Sequence, residues 1–240
     1  MTLPDFADLG GQQKQRVVDA VFDKVSRRYD VGNELISFGL HRVWRSHLIE
    51  SVGFRPEHDV LDIACGTGDV TFAAAPRVRS VIGTDNNPHM LRLAEQKRPA
   101  GMRNVSFVEA DAASLPFPEA KFDRVTICYA TRGLPALDRV MAECFRVLKP
   151  GGELWILDFA RPPWPAVDVA WRGTLYTWGA VVGTILHGDP RTYMYIPASL
   201  AHYQGQRVLD VTLRAVGFAP TEVFETTLAL MAYNRAVKPG

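Results

Sequence analysis

The densest chemistry in the chain lies in eight consecutive residues, Asp62-Ile63-Ala64-Cys65-Gly66-Thr67-Gly68-Asp69. A short apolar run, Val60–Ala64, leads into two glycines, and a second one, Val70–Ala75, follows. Glycines after a buried strand let the backbone turn tightly and approach a ligand without side-chain obstruction. Alone, this is a generic nucleotide-site signal. Its details favour a ligand without phosphate. A dinucleotide fingerprint wants a third glycine three positions after Gly68, where Thr71 stands. Asp69 falls at the helix start that would receive a pyrophosphate; a carboxylate there repels phosphate and suits a helix cap. Asp62, just before the loop, suits a cationic group, directly or through water.

Three more positions extend the pattern. Asp85 ends a second apolar run, Ser80–Thr84, with Asn86 beside it. An acid there can accept both hydroxyls of a ribose. Asp111, after a third run, can accept from an adenine amino group, and the Ala112 N–H can donate to a ring nitrogen. Met90 could pack on the adenine face, and Cys128 would lie near an amino-acid tail. Taken singly, each has a plainer reading: a lone acid at a strand end is more often a cap, and a lone cysteine more often a small core residue. In this order and at these strand ends, they fit S-adenosylmethionine, which carries an ammonium, a carboxylate and a sulfonium but no phosphate.

These residues need a parallel sheet to position them. The spacing predicts helices over 12–30 and near 34–51, the latter broken near Gly39. It then predicts strands at Val60–Ala64, Ser80–Thr84, Val105–Glu109, Phe122–Tyr129 and Glu153–Phe159. Helices fall between them at Val70–Ala75, Pro88–Lys97 and Ala136–Leu148. Such alternation reads as an α/β fold. At the end, a helix at Arg207–Ala215 precedes two strands, Gly217–Thr226 and Thr227–Arg235, a hairpin that puts an antiparallel strand into the sheet. Residues 160–205 break the alternation and hold three of the five Trp and four of the seven Tyr. The expectation is one domain over 1–240: a helical cap over 1–55, a cofactor core over 56–160, a substrate-side insert or lid over 161–205, and the last helix and hairpin over 206–240. Within the insert, Trp171, Leu175, Trp178 and Val182 recur at helical spacing. Core packing is the default reading of that spacing; an apolar channel for a lipid tail, opening toward a bilayer, is the functional one.

Composition narrows the function classes. Lys plus Arg total 27 against 26 acids, a net charge of +1, so there is no basic excess to suggest nucleic acid. Three widely spaced cysteines without C-x-x-C argue against a disulfide framework or a zinc site, and no metal is expected. The acids and amides near the start do not read as a signal peptide, and no apolar stretch is long enough for a membrane span. A reducing cytoplasm, with peripheral contact to the inner membrane left open, is the expected location. Oligomerisation is left open too.

With these residues in place, the chain resembles the class I methyltransferases and, more narrowly, the UbiE/MenG group of quinone-biosynthesis C-methyltransferases. The resemblance is carried by Val21-Phe22-Asp23, Tyr29-Asp30, Asn33, Ser37–Trp44, Asp62–Asp69 with Thr71, Ala113–Pro118, Arg146–Gly152, Gly188-Asp189, Tyr193, Tyr195, Gln206 and Ala215–Phe218. It implies a Rossmann-like, seven-stranded, mostly parallel sheet. It places the cofactor at Thr67, Asp85, Asp111, Ala112 and Cys128, where the family usually has Asn for Asp111 and Ser for Cys128. It implies a prenylated hydroquinone or phenol as substrate, methylated on a ring carbon, with Tyr129, Tyr193 and Tyr195 on the substrate side. After the fourth strand, Tyr129-Ala130-Thr131-Arg132-Gly133 keeps only the Arg of the family's Phe-Gly-Leu-Arg-Asn. Ala198 replaces its Glu and Tyr203-Gln204 its His-Pro. The resemblance therefore fixes the cofactor and not the ring.

The implied chemistry is in-line attack of an electron-rich ring carbon on a sulfonium methyl. A phenol of pKa ~10 is mostly protonated at neutral pH, so the reduced quinol is the expected substrate. Arg132 is the expected catalytic residue: it has no acceptor and stays charged, so it would stabilise the phenolate rather than take the proton. A surface or loop salt bridge is the plainer alternative. His41, His187, His202 and Tyr195 are weaker candidates for a base. Three other readings stand beside this one: a methyltransferase for another small aromatic or lipid-like molecule, an NAD-dependent oxidoreductase disfavoured by Thr71 and Asp69, and a non-catalytic partner in a biosynthetic complex.

Overall fold

A computed structural model of the chain describes residues 29–134 and 136–240. The helix expected over 12–30 lies outside these residues apart from its last two. The first described helix, α1 (Tyr29–Ile36), is followed by α2 (Leu40–Ser51). The break expected near Gly39 is present: Gly39, at φ 76°, is the N-cap of α2.

The sheet is built from β1 (Asp59–Ile63), β2 (Ser80–Asp85), β3 (Val105–Glu109), β4 (Phe122–Cys128), β5 (Leu148–Phe159), β6 (Thr221–Glu225) and β7 (Met231–Val237). Its order is β3-β2-β1-β4-β5-β7-β6. The first five strands pair in parallel, and β7 runs antiparallel to both β5 and β6. The connecting helices are α3 (Asp69–Ala74), α4 (Pro88–Lys97), α5 (Leu137–Val147), α6 (Pro165–His187), α7 (Tyr195–His202) and α8 (Gln206–Val216). Order reverses between β1 and β4, and ligands of open α/β sheets bind outside the carboxyl ends of the strands at such a switch point. The glycine loop leaves β1 there.

β5 begins five residues earlier than the sequence predicts. Leu148 already pairs with Phe122, and a register shift follows before Arg124 meets Glu153. The Lys149–Gly152 turn is held in the sheet because Gly151 donates to the Lys238 carbonyl and Lys238 donates to that of Gly152.

Alternation along β5 divides the core. Leu154 and Ile156 face one side, with Met141 and Cys144 of α5 and Leu209 and Leu213 of α8. Trp155, Leu157 and Phe159 face the other, where they meet Ile36 of α1, Leu48 of α2 and Tyr193, Tyr195 and Ile196. Leu175 and Val182 of α6 are buried in that second cluster, and Trp171 and Trp178 pack against it. The aromatic segment thus supplies core on this face of the sheet. Its last helix, α7, also brings Tyr195 and Tyr203 beside the end of β5.

Candidate active site

Backbone hydrogen bonds fix the loop after β1. Cys65 donates to Thr84 of β2 and Gly68 donates to Cys65, each at 2.9 Å. Gly68 sits at φ 84°, and a Cβ there would come within 2.8 Å of the Phe72 ring, so only glycine fits. Ala64, at φ 53°, is a side-chain-bearing residue in the left-handed region, a strained conformation of the kind that clusters at ligand sites. Asp85, at the end of β2, clasps the loop. Its Oδ2 accepts the Gly66 N–H at 2.9 Å and its Oδ1 the Asn87 N–H at 2.9 Å. A carboxylate accepts at about four positions, so holding the loop and holding a sugar are compatible roles. Asn87 in turn caps α4, accepting from His89 and Met90, with Pro88 at the first helical position.

Asp62 lies beneath this loop and is 2% exposed. Its carboxylate accepts the hydroxyls of Thr71 on α3 at 2.7 Å and Thr126 on β4 at 2.8 Å. Burial raises its pKa to about 6 against the pull of those hydroxyls. The acid expected at the cofactor's amino end is thus a brace joining three elements. Thr71, standing where a dinucleotide motif has glycine, supplies one of its two side-chain partners.

An ionic cluster covers the loop's outer side. Lys97 Nζ, at the end of α4, donates to Asp30 Oδ2 at 2.7 Å, Thr67 Oγ1 at 3.0 Å and Asp69 Oδ1 at 2.9 Å. Thr67 also donates to Asp30 Oδ1 at 3.0 Å, and Arg45 of α2 pairs with Asp69 Oδ2. Burial works against the Asp69 charge, but Lys97 and Arg45 outweigh it and hold its pKa below the usual range. Asp69 forms no side-chain cap on α3. The sequence suggests that cap, and the ion pairs show why it is not made: both carboxylate oxygens turn to cations instead. Asp30, Arg45 and Lys97 are not legible as one group, because they lie on three separate helices.

The other residues expected at the cofactor lie at or just beyond the neighbouring strand ends, except Met90, which is in α4. Asp111 is exposed, its Oδ1 accepting the Ala113 N–H at 2.8 Å, and Ala112 is buried behind it. Met90 is 2% exposed, with its Cε 3.5 Å from where a Gly66 Cβ would stand. Asn86 is exposed. Cys128 ends β4, and burial pushes its thiol pKa up, so it is a neutral wall.

Beyond Cys128 the chain enters a buried polar network. Arg132 Nη1 donates to Asp158 Oδ1 at 2.8 Å and to the Tyr129 carbonyl at 2.9 Å, and the guanidinium lies 4.7 Å from the centre of the Phe159 ring. Asp158 Oδ2 accepts the Thr131 hydroxyl at 2.6 Å. Tyr195 is hydrogen-bonded to Arg132, and Tyr203 lies near the same ion pair. Burial pushes both tyrosine pKa values up, so both remain protonated near neutrality. Arg132 therefore does form a salt bridge, but a buried one to a strand residue at the end of the sheet, not the surface or loop pair that is the plainer alternative in the sequence. Tyr129, in a left-handed conformation, donates to the His41 carbonyl at 3.4 Å and packs edge-on to Phe159. Tyr193 lies apart from this group: it is 3% exposed, with its hydroxyl 3.3 Å from His187 and pressed against Gly32 of α1.

A model of the ubiE/COQ5 methyltransferase family matches residues 10–238. The Ubiquinone/menaquinone biosynthesis C-methyltransferase UbiE of Serratia proteamaculans (strain 568) is 34% identical over 238 residues, covering 97% of this chain and 95% of that protein. Among solved structures, a SAM-dependent methyltransferase from Aquifex aeolicus superposes with a TM-score of 0.59 at 16% identity, over 81% of this chain and 89% of that one. The [4+2]-cyclase SpnF does so at 0.60 and 19% identity, over 96% and 97%. That a cyclase shares the fold shows that architecture alone does not choose the chemistry. The near full-length family match does choose: this chain belongs to the ubiE/COQ5 methyltransferase family.

Proposed function

We propose that the chain transfers the methyl group of S-adenosylmethionine to a ring carbon of a prenylated hydroquinone. The observation that carries this is the Asp85 clasp on Gly66, set in a chain that matches the quinone C-methyltransferases over nearly its full length. The pocket residues fit the donor. The Gly66–Gly68 turn offers backbone without side chain, and the two cations near it, Lys97 and Arg45, are engaged by Asp30 and Asp69. Asp85 would hold the sugar, Asp111 and Ala112 the base, and the loop around Thr67 the amino-acid end. When bound, the donor supplies an electrophilic methyl on a sulfonium whose leaving thioether is neutral.

The protein's remaining task is to make the ring carbon nucleophilic. Arg132 and Tyr195 together present hydrogen-bond donors in a buried setting, where fixed donors stabilise developing charge on a phenol oxygen far better than water does. Tyr129 and Phe159 flank them with aromatic surface.

Among the described residues, no helix is long and apolar enough to cross a membrane. We place the tail's approach at an exposed apolar face where Phe38 stacks on Trp178 at 4.9 Å, with Leu35, Val181 and Ile185 also exposed. Such a face suits contact with a lipid surface.

The test is purified protein with S-adenosylmethionine and chemically reduced prenyl naphthoquinone or benzoquinone lacking the ring methyl. The expected product is one methyl heavier, on carbon. Binding of S-adenosylhomocysteine without transfer to either quinol would discard this substrate class and leave another aromatic acceptor.

A further inference from the structure

Arg132 and Asp158 form an ion pair with side chains only 8% and 3% exposed. Taking two charges out of water costs several kcal/mol each, and their attraction repays this only with additional good hydrogen bonds. Asp158 has them. Besides Arg132, its carboxylate accepts the Thr131 hydroxyl and the Phe159 N–H, at 2.6 and 2.8 Å. It is the penultimate residue of β5, at the carboxyl end of the strand beside β4. Its side-chain partners, Thr131 and Arg132, come from the loop that leaves β4 at Tyr129. Arg132 lines a cavity of about 280 Å³, together with Thr131, Leu134, Leu137, His202 and Tyr203.

We propose that Asp158 is a positioning residue for methyl transfer, fixing the Arg132 guanidinium and neutralising its charge beside the phenol oxygen of the acceptor. This rests on the quinol reading above. The chemistry requires a compromise. A bare buried cation would ionise the phenol readily but pin the negative charge on oxygen. Attack from carbon needs that charge in the ring. Paired with Asp158, Arg132 still donates hydrogen bonds while its net field is small. The hydrogen bonds from Thr131 and the Phe159 backbone hold the carboxylate so that it cannot rotate away.

The other titratable groups near the pair are Cys128 and Tyr129 from the end of β4, Tyr195 from α7 and Tyr203 from its cap, with Asp138 and His202 also lining the cavity. Histidine is the one side-chain type among these whose charge ordinarily changes between pH 5 and 8, so a variant at position 202 is the control.

The experiment is the pH dependence of single-turnover methyl transfer to the reduced quinol, for wild type, Asp158→Asn, Asp158→Glu and His202→Gln, with S-adenosylhomocysteine affinity measured for each. In Asp158→Asn the plateau rate should fall about 100-fold, as expected when a reacting group is displaced by about 1 Å. Its acid limb should move down by about one to three pH units, because a neighbouring cation is now uncompensated. Asp158→Glu, which restores the charge at a shifted position, should return the limb to the wild-type pH with a reduced plateau. His202→Gln should leave the limb in place. Donor affinity should be unchanged throughout. An acid limb that stays put in Asp158→Asn, or moves equally in Asp158→Glu, overturns the proposal, as does a limb that moves in His202→Gln. Should Asp158→Asn not fold, Asp158→Glu decides by its plateau: a wild-type plateau at unchanged donor affinity overturns the proposal. Wild-type protein that binds the donor but methylates no quinol would instead sink the substrate reading itself.

Discussion

The Thr71 hydroxyl donates to the Asp62 carboxylate 2.7 Å away, and both residues are out of contact with water. A buried acid of this kind leaves a signature in stability. Burial raises the Asp62 pKa from 3.8 to about 6. The folded state therefore holds the proton more tightly than the unfolded chain does. The resulting stabilisation is complete below the unfolded value and is lost as pH rises through about 6. A rise of about two units corresponds to roughly 3 kcal/mol. Thermal unfolding of wild type and Asp62→Asn should show the gap between them shifting in the variant's favour from pH 4 to pH 7, then levelling off. A gap independent of pH would mean that Asp62 titrates normally.

Asp85 offers a test of the cofactor pocket. Its carboxylate accepts from the Gly66 and Asn87 backbones, and hydrogen bonds to a charged acceptor are worth about 1.5–3 kcal/mol each. Replacement by Asn keeps the shape but removes the charge and half the acceptors. Affinity for S-adenosylhomocysteine, measured by calorimetry, should weaken about 10- to 100-fold, the loss of one such bond. Wild-type affinity in Asp85→Asn would place the sugar elsewhere.

What could be read from the sequence follows from how local each signal is. Pro88–Lys97 and Val105–Glu109 have the expected bounds, because a first-turn proline and a short apolar run are self-contained signals. Asp85 was legible for the same reason, as an acid at a strand end. The role of Asp62 was not, since Thr126, one of its partners, lies 64 residues away. The Lys97 cluster gathers residues 30, 45, 67 and 69, and nothing in the spacing of Arg45 and Lys97 ties them to the loop. Asp158 does carry a signal in the sequence. It is an acid inside the otherwise apolar run Leu154–Phe159, and a charge in a buried strand demands a partner.

Close packing between α1 and the segment after α6 gives a third test. A Cβ on Gly32 would fall 1.9 Å from the Tyr193 hydroxyl and 2.8 Å from its ring carbon. Tyr193 is buried and cannot swing aside freely. Alanine favours helix over glycine by about 1 kcal/mol, but overpacking costs about 1–3 kcal/mol. Gly32→Ala should therefore lower the denaturant midpoint, and adding Tyr193→Phe should recover part of the loss by removing the nearest atom. A midpoint raised by Gly32→Ala would show that α1 does not dock this tightly.

Lys97 supports the most specific claim about motion near the cofactor. Its ammonium joins Asp30 of α1 to Thr67 and Asp69 of the loop, and its pKa is raised because these carboxylates outweigh its burial. Half-exposed pairs contribute little to global stability, about 0–1 kcal/mol, and are screened by salt. The effect of Lys97→Met on unfolding should accordingly be small. Its effect on the loop should be larger, because three elements lose their common tie at the position where the donor's amino-acid end is placed. Stopped-flow dissociation of S-adenosylhomocysteine should be several-fold faster in the variant, the scale of about 1 kcal/mol. Raising salt should speed release from wild type toward the variant's rate and change the variant less. Equal release rates at low salt, or equal salt dependence in both proteins, would mean that the cluster is a solvated surface feature with no hold on the loop.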